Sequence, residues 1–397
     1  MDDKMIKDIT HNCGTPVYVF DEEAVDTQIK AVRDNISKNI ALCFAMKANP
    51  FLTGIMSSKT DRLEVCSPGE YEICINEQIA PDKIIVSGVN KTMDTMERII
   101  SYSGGKGIYT IESRKHYDIL KECALKYNVN IKVLLRLSSG NQFGMDKETL
   151  CTVLSEVQNT KNLIPIGIHY YSGTQKKMKK IEKELNMLDE FGGYLKEKFA
   201  IPHLELEYGP GLMVTYFENE PQVDNKEQLS ELSALLKTVK NFDSIALEMG
   251  RFLTSMCGTY LTVINDIKHT DGSSFIIVDG GIHQLGYYGQ MMGMKKPFMK
   301  VISGNKAGEK TAGSYNICGS LCTVNDVIVR DVSLGDVCPG DIIAFYRCGA
   351  YSVTEGMALF LSRELPAVVL VDNEGRWKLL RNIIQINNLN RTQGGIL

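Results

Sequence analysis

The sequence predicts an α/β protein: a (β/α)8 TIM-type barrel joined to a C-terminal, mostly β domain. Three observations carry that prediction. Eight short apolar runs recur up to about position 250, helix-like stretches fill the gaps between them, and beyond Arg251 the texture changes to strand-like runs separated by turns. The eight runs are ALCFAMK, RLEVCS, KIIVSG, GIYTIES, IKVLLRL, IPIGIHYY, LELEYGPG and IALEMGR. Their β-branched content and flanking turn residues suit buried parallel strands. Intervening segments such as SPGEYEICINEQ and KKMKKIEKELNMLDEFGGYLKEKF suit helices. Eight strand–helix units match a closed barrel, and an open sheet is the weaker alternative. Later, TYLTVINDI, SFIIVDGG, DVIVRDVSL, DIIAFYRCGAY and AVVLVDNEGRWKLL read as strands, with turns at SLGD and DNEG, and PVYVF near the start is expected to add a strand to them. The expected division is a barrel over residues 25–257 and a β domain from residues 1–24 and 258–397.

Composition narrows the class. With 44% hydrophobic and 23% charged residues among 397, the chain reads as a globular protein with room for two domains. A net charge of −4 gives no bulk electrostatic case for nucleic acid or an anionic membrane. No apolar run approaches the roughly 20 residues of a membrane span. The start, MDDKMIKDITHNCGTP, lacks the basic and apolar regions of a signal peptide, and the eleven scattered cysteines read as reduced thiols, so a cytoplasmic location is expected. The six histidines fall in no metal-ligand spacing, so no metal is expected.

In a barrel, chemistry collects at the C-terminal ends of the strands. Those positions hold Lys47, Ser67, Ser87, Glu112, Arg136, Tyr171, Gly209 and Glu248, followed by Arg251. Burial disfavours the charged form of a lysine such as Lys47, and a neutral amine attacks carbonyls; the aldehyde of pyridoxal 5'-phosphate (PLP) is the best-known partner of such a lysine. Gly209 and Gly211 let backbone N–H groups approach a phosphate, and Arg251 adds charge-assisted bonds. A carboxylate such as Glu248 beside the pyridine nitrogen would keep that nitrogen protonated.

The motifs AMKAN at Lys47, QFGM at Phe143–Gly144, YYSGT at Tyr171–Thr174, GPG at Gly209–Gly211, EMGR at Glu248–Arg251, VDGG at Asp279, GSLCTVND at Cys322 and GAY at Tyr351 run nearly end to end. With them the chain resembles PLP-dependent decarboxylases of the alanine-racemase fold type, the diaminopimelate and ornithine decarboxylase group. The resemblance implies that Lys47 is the Schiff-base lysine and that Glu248 pairs with the pyridine nitrogen. It implies that Gly211, Arg251 and Tyr351 hold the phosphate, with Arg136, Tyr171, Thr174 and Gly209 as further cofactor contacts. It also implies a homodimer with shared active sites, in which Cys322, the acid that protonates the α-carbon, and Tyr351 come from the second subunit.

Departures from the family bear on substrate. Thr323 stands where relatives handling a distal ammonium carry Asp or Glu, and Tyr287 stands near the place of an arginine that grips a distal carboxylate. The turn RLSSGNQFGMD is short. Tyr171 replaces a histidine stacked on the cofactor, and GPG replaces a glycine triplet. Tyr171, Thr323 and His283 resemble a branch that includes a decarboxylase of glutamyl groups held on an acyl carrier protein. Lys176, Lys177, Lys179 and Lys180 would suit docking of an acidic carrier. The expected function is therefore decarboxylation of an amino acid or aminoacyl derivative lacking a cationic distal amine, free or carrier-tethered, in secondary metabolism, with Thr323, His283 and Tyr287 facing substrate. The alternatives are a diaminopimelate, lysine or ornithine decarboxylase acting on free substrate, and a catalytically silent regulatory protein of the same fold. Retention of Lys47, Glu248, Arg251, Cys322 and Tyr351 argues against silence.

Overall fold

Strand β1 (Val17–Asp21) is followed by eight strands that pair in parallel and close on themselves: β2 (Ala41–Ala45), β3 (Arg62–Val65), β4 (Ile84–Val86), β5 (Ile108–Ile111), β6 (Ile131–Arg136), β7 (Leu163–Tyr171), β8 (Glu205–Gly209) and β9 (Ser244–Met249). Closure comes from β9 returning to β2, with Glu248 opposite Cys43. This computed structural model describes residues 1–304 and 311–392. Several of the barrel helices start on a side-chain cap. Ser67 accepts from the Glu70 N–H, Ser113 from His116 and Asp146 from Thr149. Each cap satisfies a backbone donor that would otherwise be orphaned, worth about 1 kcal/mol. Ser67 and Ser113 lie directly after β3 and β5, so their caps keep those turns short and the strand ends crowded together.

Barrel strands bury polar as well as apolar side chains. Cys43, Ile85, Ile108 and Leu134 form one buried cluster. Arg62, at the start of β3, forms ion pairs with Glu205 and Glu207 on β8, reaching the Glu207 carboxylate at 3.0 Å. One guanidinium thus faces two carboxylates. Burial, with Glu248 and Glu205 nearby, pushes the Glu207 carboxyl up from 4.5 to about 8 against the pull of Arg62. A raised folded value means the folded chain holds a proton that the unfolded chain releases. This contribution to stability is complete below the unfolded value and is lost as pH rises towards about 8. Glu207→Gln is therefore expected to flatten the fall in Tm between about pH 5 and 8. Parallel Tm–pH curves for the two proteins would show that Glu207 is ionised throughout.

The chain divides into two compact units, one of Gln28–Val214 with Val223–Leu253, the other of Met1–Thr27, Thr215–Gln222 and the described residues of Thr254–Leu397. The second unit is built on β10 (Gly258–Thr270), β11 (Ser273–Val278), β12 (Met299–Ile302), β13 (Thr311–Cys318), β14 (Val327–Val337), β15 (Ile342–Tyr346), β16 (Ala367–Val371) and β17 (Trp377–Arg381). Its main sheet runs β14-β13-β11-β10-β1-β16-β17, with β15 on β10 and β12 on β15. β1 sits between β10, antiparallel, and β16, parallel. Val17 and Val19 pack with Leu261, Ala344 and Val369, and with Ile6 and Ile9 from a helix at Asp3–Cys13. The sequence reading did not anticipate that helix, β12 or β13. SLGD is not a turn: β14 continues through it because β13 pairs alongside, Gly313 opposite Leu334. No helix among the described residues is long and apolar enough to cross a membrane.

Candidate active site

β2 ends at Ala45, and the chain makes one 3-10 turn over Met46–Ala48 that carries Lys47. The Lys47 Nζ lies 2.6 Å from the Glu64 carboxylate on β3, 3.4 Å from Glu248 Oε1 on β9 and 3.6 Å from the Cys66 thiol. Three strand ends thus converge on one amine. The Cys66 thiol donates to Glu64 at 2.8 Å, and burial beside that carboxylate pushes its pKa well up.

Glu248 is held on both oxygens, since His169 on β7 reaches Oε2 at 2.9 Å. Burial alone would raise its carboxyl, but Lys47, the His169 hydrogen bond and Arg136 hold it well below the usual carboxylate range. His169 is buried, and its Nδ1 has no partner among the described residues. The sequence reading missed His169. It lies one strand period before Tyr171, which puts both on the same face of β7, and that spacing was the available signal.

After β7 and β8 the chain forms two glycine loops that touch. Gly211 has φ +58°, and a Cβ there would lie 2.2 Å from the Gly173 carbonyl oxygen. At Gly209 a Cβ would lie 2.4 Å from the Tyr171 ring, so that ring covers the strand end. Arg251, directly beyond β9, donates from Nε to the Thr174 hydroxyl at 3.2 Å. Across the barrel, Arg136 meets Glu112 at 3.1 Å and lies 4.8 Å over the Phe143 ring. The other Glu112 oxygen is buried without a partner among the described residues. Lys91, also missed, is buried and donates to the Gly88 carbonyl at 2.8 Å and to Thr110 at 3.0 Å; burial pulls its pKa down to about 8.

The remaining expected residues belong to the β unit. Cys322 is exposed on the turn between β13 and β14. Asp326 ties that turn to the segment after β11, accepting from the N–H groups of Leu321 at 2.8 Å and Ile282 at 2.9 Å. Thr323 is half-buried. His283 is buried, and desolvation lowers its pKa to about 4. Tyr287 is a core residue whose hydroxyl donates to the Tyr346 carbonyl at 2.7 Å, with its ring against Tyr216 and Phe217. Tyr351 sits at φ +68°, a costly conformation for a bulky residue that marks a constrained position.

An amine between two carboxylates, one of them held ionised, and two glycine loops beside an arginine fit a phosphorylated aldehyde with a ring nitrogen. The crowded loops leave no place for a Cβ where backbone must approach the phosphate. Fold and site define a PLP-dependent enzyme. The chain belongs to the pyridoxal-dependent decarboxylases: the family model described as "Pyridoxal-dependent decarboxylase, pyridoxal binding domain" matches residues 22–255. It is similar to an L-glutamyl-[BtrI acyl-carrier protein] decarboxylase of Niallia circulans, 26% identical over 96% of this chain and 94% of that one. A diaminopimelate decarboxylase of Pseudomonas aeruginosa is also 26% identical, over 92% and 90%. The crystal structure of the Methanocaldococcus jannaschii diaminopimelate decarboxylase with L-lysine superposes with a TM-score of 0.84 at 22% identity, covering 97% of this chain and 93% of that one.

These relatives correct the substrate expected from the sequence. A substrate lacking a distal cationic amine, carrier-tethered and in secondary metabolism, does not hold against diaminopimelate decarboxylases matched along nearly their whole length, one of them solved with lysine. The structure gives the physical reason. Exclusion of a distal ammonium by Thr323 requires a buried site, yet Thr323 is only half-buried, on the same turn as the exposed Cys322. The lysine cluster meant for a carrier also loses Lys176, which is buried against Glu184 at 2.7 Å.

Proposed function

We propose that this chain decarboxylates a free amino acid carrying a second amine at its far end, the class that includes diaminopimelate, lysine and ornithine. The Lys47 amine between Glu64 and Glu248 at the ends of three barrel strands carries the decarboxylase chemistry, and the diaminopimelate decarboxylases matched along nearly their whole length support the substrate class. Lys47 would bond the cofactor's aldehyde carbon, and Glu248 would hold a proton at the ring nitrogen. Thr174, Gly209, Gly211, Arg251 and Tyr351 would hold the phosphate, with Tyr171 against the ring and Arg136 alongside. When bound, the cofactor supplies an electron sink for the pair left as the α-carboxylate departs as CO2. His169 keeps Glu248 oriented and charged, so the field at the ring nitrogen is set before substrate arrives. The Cys322 thiol would return a proton to the α-carbon, and the Lys47 amine would release the product amine.

The reading includes a homodimer with shared sites. Val324, two residues from Cys322, is 87% exposed, and Met291 and Met294 are 68% and 72% exposed. Apolar exposure on that scale in the unit that carries Cys322 suits coverage by a second copy. The YYSGT, Thr323 and His283 likeness to the glutamyl-carrier branch is taken as shared ancestry of motifs, with no substrate attached.

The test is CO2 release from PLP-loaded enzyme with meso-diaminopimelate, lysine, ornithine, glutamate and a glutamyl-loaded carrier. At least one of the first three is expected to turn over faster than glutamate in either form. Their ranking also tells whether a distal carboxylate is read. Turnover confined to the glutamate arms would overturn the reading.

A further inference from the structure

We infer that Lys176 is a positioning residue for the cofactor's phosphate: a buried ammonium that fixes the glycine loops after β7 and β8 against each other. The inference rests on the reading of those loops as the phosphate cradle.

Lys176 opens the run KKMKK, where a solvated face would be the ordinary outcome, but its side chain is only 2% exposed. Its Nζ donates to the Gly209 carbonyl at 2.9 Å, to the Ser172 hydroxyl at 3.3 Å and to the Glu184 carboxylate at 2.7 Å. Its backbone N–H donates to the Gly211 carbonyl at 2.8 Å. The stem fills the space beneath the second loop, since a Cβ at Gly211 would lie 2.8 Å from Lys176 Cε. One residue thus bonds the loop that carries Ser172 and both glycines of the next. An ammonium with three diverging donors matches three acceptors from different elements, whereas a planar guanidinium or an apolar chain does not.

Glu184 decides how this lysine acts. That carboxylate collects Lys176, the Tyr208 hydroxyl at 2.7 Å and the Ser172 hydroxyl, so the ammonium's charge is neutralised where it stands. Its contribution to phosphate binding then comes through loop geometry. A residue that merely stabilised the barrel rim would show no preference for the phosphate over the rest of the cofactor.

The experiment exploits that difference. Apoenzyme of the full chain is titrated with PLP and with pyridoxal, which lacks the phosphate, and the Kd for pyridoxal divided by the Kd for PLP is read. Lys176→Met is expected to reduce the ratio about tenfold, through a weaker PLP Kd, with the pyridoxal Kd unchanged. Lys180→Met is the control: that lysine is 54% exposed and stands 3.9 Å from Glu184, so the ratio should keep its wild-type value. Lys176→Met with Glu184→Gln is measured alongside, because it leaves no unpaired buried carboxylate and serves if the single variant does not fold. A ratio unchanged in the folded Lys176 variants, or PLP and pyridoxal affinities weakened equally, would overturn the inference. A wild-type ratio near unity would instead overturn the phosphate cradle itself, whatever Lys176 does.

Discussion

Lys47→Ala is expected to abolish CO2 release and the absorbance band of the lysine-linked cofactor while leaving a folded protein. The amine is the nucleophile, and alanine removes it. The fold survives because His169 still holds Glu248 and the Cys66 thiol still donates to Glu64. Absorbance titration and a CO2 assay check this directly; normal turnover would remove Lys47 from the chemistry. The same variant tests the shared site. Mixed with Cys322→Ala and allowed to exchange subunits, it should recover about a quarter of wild-type activity, because half the dimers are mixed and each of those has one intact site. No recovery after confirmed exchange would place Lys47 and Cys322 of one chain in the same site.

Glu248→Gln should lower kcat by roughly 10²–10³-fold while the cofactor stays bound, because a neutral amide cannot hold the ring nitrogen's proton. A loss of less than about tenfold would mean that another group sets the charge on the ring. Stability offers a second readout. The folded Glu248 carboxyl lies below its ordinary 4.5, so its contribution is present above that value and is lost as pH falls through the folded value. Acid unfolding of the Gln variant should therefore be less steep than that of wild type below about pH 4.5. Coincident curves would show that Glu248 is not ionised in the folded chain.

Much of this architecture is legible in the sequence because buried parallel strands leave continuous apolar runs, and all eight such runs became barrel strands. Lys47, Glu248 and Arg251 are legible because a charged residue at the end of such a run has no packing reason to be there. What stayed hidden depends on partners far along the chain. A lone histidine on an apolar strand reads as core, and only Glu248, 79 residues on, makes His169 part of the site. Lys176 stands in a run of lysines that reads as a surface face, yet it is buried against Glu184, and nothing in the sequence around Lys91 signals its bond to Thr110. The strand at Thr311–Cys318 has weak alternation of its own and forms through its neighbours β11 and β14. Thr323 misled because its chemistry was read as that of a buried pocket wall.

The place of β1 between β10 and β16 has a consequence for how the chain is made. Both partner strands lie after the whole barrel in sequence, at Gly258–Thr270 and Ala367–Val371. A nascent chain that has emerged as far as Leu253 already holds all eight barrel strands, whose pairs are mostly neighbours in sequence. Its first strand, Val17–Asp21, meets β10 soon afterwards, but its other partner, β16, arrives only when roughly a hundred further residues follow, a loop closure paid late in synthesis. An apolar strand that keeps one edge open that long is a standing invitation to mispair. The order in which the ribosome delivers this protein is therefore not the order in which its sheet can be assembled.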